Sequence, residues 1–406
     1  MSTTLNVSAE EQQILELLTH KLEPSLEIPL VRSTKTALDE VRSLTDVGCY
    51  IAGKSIVGLC LRNLALDQVP EEIFQLKNLR HLDLSGNDLI SIPNTISELT
   101  ELRSLILAGN KLGDLPNISA LTSLVNLDLD DNKMVHIGPD VCELKGLKTI
   151  TVYGNKILTL PSQFSQLKKL EYFNVANNQL RFLPDGLYSL TSLKSLNLSR
   201  NQLTSISPTV GKLTKLNMLN VGRNQLDFIP EDIGKIKALT HLYIGHNFME
   251  EVPDSLGKLT NLQYFNLGYN NLSEVPACIG KMKNLVELRA EGNKFSIFSD
   301  DILKLDNLKY LHLSGNRLRQ IPESISTLSN LVELTIRANK IESVPESIGK
   351  LKNLTYLDLR ANLILSLPEG ITGLKKLDKL DLRWLKINKD SADLSSLIKN
   401  GCTVYS

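Results

Sequence analysis

Ten residues able to bind, stack or exchange protons crowd into one stretch of the 406-residue chain: Arg200, Arg223, His241, Tyr243, His246, Tyr264, Tyr269, Arg289, Tyr310 and His312. Tyr153 and Tyr172 precede them. Such residues could serve as acid, base or metal ligand, but each role needs companions. His241 and His246 lack third and fourth ligands of matching type, and so does the carboxylate group Asp128, Asp130 and Asp131. No Ser or Cys sits in a nucleophile elbow, and no Gly-rich loop is built to cradle phosphate. The set therefore reads as a binding surface, and no catalytic residue, cofactor or metal is expected. Tyr and Arg are the residue types that dominate interface energies, which favours a protein or peptide ligand.

What positions these residues is a repeat. LNLSRNQL from Leu196 returns as LNVGRNQL from Leu219, and its Asn recurs at Asn87, Asn110, Asn132, Asn155, Asn178, Asn201, Asn224, Asn247, Asn270, Asn293, Asn316, Asn339 and Asn362. Eleven of the twelve gaps are 23 residues and one is 22. The frame around each Asn is LxxLxLxxNxLxxLPxxIxxL. One further unit at each end carries Leu64 or Leu385 in place of Asn, giving about fifteen units over residues 56–390. Repeats of this length stack into a solenoid rather than separate globular domains.

Each part of the frame has a physical reason. The LxL segment alternates as a half-buried β-strand does, so Leu196 and Leu198 point in while Asn197 and Ser199 point out. The recurrent Asn amide can bond backbone groups left free in its own turn and in the adjoining coil. Eleven units place Pro six residues after the Asn position, as at Pro70, Pro93, Pro116, Pro230 and Pro368. Proline lacks the donor a sheet ladder needs, so the return arm is not a central strand. The 22-residue unit loses its residue on that arm, Pro116-Asn-Ile replacing Pro93-Asn-Thr-Ile, which leaves strand phase intact. Four positions per strand stay free, at six, four, two and one residues before the Asn. Seven of the ten tyrosines occupy them, at 153, 172, 243, 264, 269, 310 and 356, as do His81, His241, His246 and His312. Acidic residues (Asp83, Asp128, Asp130, Asp131) mark the early strands; Arg289, Arg337, Arg360, Lys379 and Arg383 come later, an arrangement that would orient a partner along the face.

This frame resembles the leucine-rich repeat family, and its 23-residue unit is similar to the intracellular class found in Ras-pathway scaffolds and plant Ras-group-related proteins. The resemblance implies an α/β solenoid: a leucine-rich repeat horseshoe with a parallel β-sheet on its concave face and irregular, helical or 3-10 convex arms. It also implies a scaffold or adaptor, with small GTPases and phosphatase catalytic subunits as partners of some relatives, and no basic-Val-x-Phe phosphatase-docking motif is found in the first 55 residues. Extracellular members carry cysteine-rich caps, whereas Cys49, Cys60, Cys142, Cys278 and Cys402 are scattered and odd in number. Sequons such as Asn197-Leu-Ser are read as by-products of the repeat.

Forty-five basic and forty-five acidic residues give a net charge of zero, which argues against a general attraction to nucleic acid or membrane. No apolar run approaches a membrane span, and MSTTLNVSAEEQQ lacks the charged and apolar regions of a secretory leader. A cytoplasmic monomer is expected. The chain divides into an N-terminal helical and β-hairpin cap (1–55), the solenoid (56–390) and a C-terminal cap (391–406). In the first cap, Ser8-Ala-Glu-Glu11 reads as a capping box before a helix whose face is Ile14, Leu15, Leu18 and Leu22, a second helix is predicted over Thr36–Leu44, and GCYIAGKSIVGLCL reads as a hairpin shielding the first repeat strand. At the other end a helix is predicted from Ser391 to Lys399, then an extended CTVYS. The functional reading is a non-catalytic scaffold or adaptor. A regulatory subunit covering an enzyme's active site, and a small-ligand or carbohydrate receptor, are the alternatives.

Overall fold

The computed structural model describes residues 7–22, 28–32, 47–387 and 392–406. It forms two compact units, Met1–Gln202 and Leu203–Ser406. In the first, α1 (Ala9–Leu22) and β1 (Leu30–Arg32) precede a hairpin of β2 (Val47–Ala52) and β3 (Ser55–Leu61). Six short strands follow: β4 (His81–Asp83), β5 (Ser104–Ile106), β6 (Asn126–Asp128), β7 (Thr149–Thr151), β8 (Tyr172–Asn174) and β9 (Ser195–Asn197). The second unit holds β10 (Met218–Asn220), β11 (His241–Tyr243), β12 (Tyr264–Asn266), β13 (Glu287–Arg289), β14 (Tyr310–His312), β15 (Glu333–Thr335), β16 (Tyr356–Asp358) and β17 (Lys379–Asp381), closed by α2 (Ala392–Lys399) and β18 (Thr403–Tyr405).

Within each unit the repeat strands pair in parallel, one repeat per step. Leu82, Leu105, Leu127, Ile150, Phe173 and Leu196 stand side by side in the first. Leu219, Leu242, Phe265, Leu288, Leu311, Leu334, Leu357 and Leu380 do so in the second. All are buried. Opposite the sheet most units make one 3-10 turn led in by the repeat's proline, as Pro93 at φ −69°, ψ 153° leads into Asn94–Glu98. Each unit is thus a stack of strand-and-turn repeats with a parallel sheet along one side, as the frame predicts. The 22-residue unit forgoes its 3-10 turn and keeps Leu105 opposite Leu127, so the deletion falls on the return arm and spares the register.

The Asn ladder holds successive turns together. Asn87 accepts through Oδ1 from the amides of Leu64 (2.9 Å) and Leu66 (3.1 Å), and donates through Nδ2 to the carbonyls of Leu61 (2.7 Å) and Leu84 (2.9 Å). Asn270 repeats the pattern toward Met249, Ile244 and Leu267. All thirteen are buried.

At the N-terminus Ser8 Oγ caps α1 by accepting from the Glu11 amide at 3.2 Å. The predicted box is only half made: Glu11 accepts instead from the Ile56 amide of β3 at 2.8 Å, fastening the helix to the hairpin. The hairpin turns at Gly53 and Lys54 as expected, β3 being the first repeat strand and β2 covering its edge antiparallel. Sequence reading missed β1, which pairs with β2 in parallel. The helix predicted over Thr36–Leu44 lies outside the described residues. At the C-terminus α2 and β18 form where expected; Gly401 at φ +94° ends the helix and β18 pairs with β17. One expectation fails on the early strands. His81 and Asp83, placed by pattern on the open face, are 5% and 1% exposed, and β4 is buried at all three residues where β6 to β15 are buried only at the central one.

Asn224 accepts from the Leu203 amide (3.0 Å) and donates to the carbonyls of Val221 (3.0 Å) and Gly222 (3.3 Å). Asn224→Ala leaves the Leu203 amide unpaired, while the Val221 carbonyl keeps Asn247, so urea denaturation should show a loss of about 1–3 kcal/mol.

Candidate functional site

The strand register places the candidate residues. In the second unit His241, Tyr264, Glu287 and Tyr310 form one row across β11 to β14, and Tyr243, Asn266, Arg289 and His312 form the next. Their neighbours Leu242, Phe265, Leu288 and Leu311 point into the core, so the rows share the open side. The rings meet: Tyr243 and Tyr264 lie 4.6 Å apart at 34°, His241 and Tyr264 6.0 Å apart at 18°, and His246 and Tyr269 4.3 Å apart at 10°.

Charge threads these rings. Arg289 Nε donates to Glu287 Oε1 at 2.6 Å. His312 Nδ1 is 3.0 Å from Thr335 Oγ1, while its Nε2 is 3.8 Å from Glu287. Burial, seconded by Arg289, pushes the His312 imidazole down to about 4, so it is neutral at physiological pH. Burial also raises the Tyr243 and Tyr264 phenols and the Glu291 carboxyl. The patch therefore offers neutral, partly dried aromatic faces beside a guanidinium, an arrangement suited to binding a partner's side chains.

The backbone adds a feature that pattern reading missed. The residue before each ladder Asn is left-handed: units such as those of Gly86, Gly109, Gly292 and Gly315 use glycine there, but Arg200, Arg223, His246 and Tyr269 hold φ between 54° and 57°. For such side chains that conformation costs roughly 1–2 kcal/mol each. Asp131, Asn177, Ala338 and Ala361 hold the same conformation, so the strain belongs to the repeat's turn and is not confined to these four side chains. Gly292 is needed for a further reason, because a Cβ there would meet the Tyr269 ring at 2.5 Å.

In the first unit Tyr172 is 47% exposed, Tyr153 half-buried and Arg200 exposed, each on the open side of its own strand or turn. Among the described residues no ring contact joins them as the rings of the second unit are joined. Asp130 accepts from the Tyr153 amide at 2.6 Å, and burial together with Asp128 raises its carboxyl to about 6.

A second cluster was not anticipated. Trp384, the chain's only tryptophan, is 73% exposed at φ 65°. Its ring lies 6.0 Å from the Arg360 guanidinium and 5.9 Å from that of Arg383. Arg360 pairs with Asp358 and Asp381, and Arg383 with Asp381. Its position immediately before Leu385, in the Asn column, was the available signal.

A family model described as a leucine-rich repeat region matches residues 110–227 and 291–399, and one described as leucine rich repeat matches 57–112 and 237–295. No curated protein matches the chain. Among solved structures, the chain is similar to a leucine-rich repeat protein of Leptospira interrogans at 29% identity and TM-score 0.83, covering 93% of this chain and 100% of that one. It is also similar to the ectodomain of the Arabidopsis thaliana membrane receptor kinase GASSHO1/SCHENGEN3, solved in complex with Casparian strip integrity factor 2: 30% identity, TM-score 0.72, covering 83% of this chain and 42% of that one. The Arabidopsis receptor kinase HAESA ectodomain, in complex with an IDA peptide hormone, is 30% identical with TM-score 0.63, covering 79% of this chain and 60% of that one. Among the described residues no helix is long and apolar enough to cross a membrane.

Two outcomes follow. Arg223 is exposed and has no side-chain partner among the described residues. Arg223→Gly should leave stability to denaturant unchanged or raise it by up to about 1 kcal/mol, since glycine adopts this turn freely; a larger loss would show that the guanidinium is structural. For Asp130, the folded value of about 6 lies above the ordinary 3.8, so its contribution to stability is full below pH 3.8 and lost as pH rises through 6. Asp130→Asn keeps the Oδ1 acceptor and should gain on the order of 1 kcal/mol at pH 7.5, discounted for solvent access, with the gain gone in melts below about pH 4.

Proposed function

The chain belongs to the leucine-rich repeat family, and from that premise we propose that it is a non-catalytic scaffold or adaptor that binds a folded protein or peptide on the open side of β11 to β14. One observation carries the reading: stacked His and Tyr rings share that side with Arg289 and adjoin the strained His246 and Tyr269. Rings already packed on one another lose little conformational freedom when a partner lands, which is what makes Tyr effective at interfaces. Arg223 extends that surface within the second unit; Tyr153, Tyr172 and Arg200 belong to the first unit and are a separate set.

Two of the similar receptors were solved with a peptide or protein factor, which supports the same class of ligand here. We place the protein in the 23-residue intracellular class and in the cytoplasm. The support is its neutral charge and its five free, buried cysteines. Burial raises the thiols of Cys49 and Cys142 to about 12, leaving them unreactive. The division into caps at 1–55 and 391–406 around a solenoid of 56–390 is part of the same proposal.

The test installs a photo-crosslinking benzoylphenylalanine at position 243, or at the exposed outer-arm position Lys258 as control, in otherwise native cytosol. Capture of a defined partner from 243 and not from 258, lost on adding Arg223→Ala, Tyr264→Ala and Arg289→Ala, is the expected result. Equal capture from 258 would move the site off the sheet. Because Tyr264 is packed against its neighbours, these variants should lose about 0.5–1.5 kcal/mol of stability, far short of unfolding.

A further inference from the structure

The buried face of β3 and β4 holds three donors of unlike chemistry. Cys60 of β3 lies opposite Asp83 of β4 in register, and His81 sits two residues before Asp83 on the same face. The Cys60 thiol, a His81 ring nitrogen and an Asp83 carboxylate oxygen all lie within 4.8 Å of one another. Their residues are 0%, 5% and 1% exposed.

Core packing alone accounts poorly for His81. Both of its ring nitrogens are buried and neither has a hydrogen-bond partner among the described residues. An unpaired buried polar group is destabilising, and this ring carries two. Asp83, by contrast, is firmly held. Its Oδ2 accepts from Arg62 Nε and Nη2, both at 2.7 Å, and its Oδ1 accepts from Ser85 Oγ at 2.6 Å and the Ser85 amide at 3.0 Å. A carboxylate fixed by an outer ring of bonds, facing a thiol and a bare imidazole, is how metal sites orient their ligands.

We propose that Cys60, His81 and Asp83 bind a borderline divalent transition metal, Zn2+ above all. Sulfur, nitrogen and oxygen in one set suit zinc or cobalt, whereas calcium and magnesium call for oxygen ligands throughout. On binding, the Cys60 thiol gives its proton to solvent and the thiolate bonds the metal. Neutral His81 donates a ring lone pair, and Asp83 donates a carboxylate lone pair while keeping Arg62 and Ser85. Water completes a tetrahedron. Thiolate and carboxylate together balance the ion's two charges. The bonds tie β3, which belongs to the N-terminal hairpin, to the strand of the following repeat, so the site acts as a staple at the end of the solenoid.

The experiment uses the full chain, purified without chelator and measured for metal, then stripped and titrated with Co2+. Expected are one zinc per chain, and with Co2+ an intense thiolate-to-cobalt band accompanied by tetrahedral d–d absorption. Zn2+ should also raise the melting temperature as mass action requires. Cys60→Ser and His81→Ala should abolish the stoichiometric zinc; Ser85→Ala should weaken binding by about 10- to 100-fold; Cys49→Ser should change nothing. Absence of the thiolate-to-cobalt band in the wild-type chain overturns the proposal however the variants fold. So does zinc that survives both Cys60→Ser and His81→Ala, since it then sits elsewhere.

Discussion

The backward reach of one amide governs this molecule. Each ladder Asn accepts from amides in the turn of the preceding repeat and donates to carbonyls there and in its own turn. A chain that turns every few residues would otherwise bury peptide groups with no partner, a cost no leucine can offset. The amide thus sets the repeat length, the parallel register and the alignment of the leucines. Its direction also explains why the ladder begins only at the second repeat. Leu64 stands in the Asn column of the first repeat, where an Asn would have no earlier repeat to reach, and the amides of Leu64 and Leu66 are served from the second repeat by Asn87.

Closing the turn in this way dictates a left-handed residue just before the Asn, a demand that glycine and non-glycine residues both meet. Glycine meets it without strain at Gly86, Gly109, Gly154, Gly292 and Gly315. Asp131, Asn177, Arg200, Arg223, His246, Tyr269, Ala338 and Ala361 meet it with strain. Three consequences coincide within the second unit: the strained His246 and Tyr269 adjoin the strands whose rings stack, Tyr269 stacks on His246, and Gly292 gives the Tyr269 ring its space. At His246 and Tyr269 the left-handed turn and the ring packing fall together.

Local alternation and period made the strands, the Asn bonds, the deletion on the return arm and both terminal helices legible in the letters. Less was legible wherever an element met something distant in sequence. Glu11 accepts from the Ile56 amide, 45 residues away, instead of closing its capping box, a contact that no local motif announces. β1 carried no repeat signal at all. For the candidate site, the free positions were readable, but ring contacts and left-handed strain were not. Trp384 escaped notice because its repeat lacks the Asn that marks the column.

The burial of His81 shows why a repeat frame misleads at its ends. By column His81 is equivalent to Ser195, His241 and Tyr264, all open to solvent on one side, and the frame gives it the same orientation. The orientation holds; the environment does not, because β3 and β4 are covered where the later strands are open. A polar residue on an open strand needs no partner but water, whereas the same residue under a cover needs one supplied by the protein or by a ligand. Asp83 has found Arg62 and Ser85, while His81 has found neither donor nor acceptor among the described residues. Its companion in the cluster, Cys60, comes from the preceding repeat, so no local motif could announce the group. Repetition makes such convergence easy to build: residues one repeat apart fall on adjacent strands, and any two columns can supply a set of donors once an end is covered.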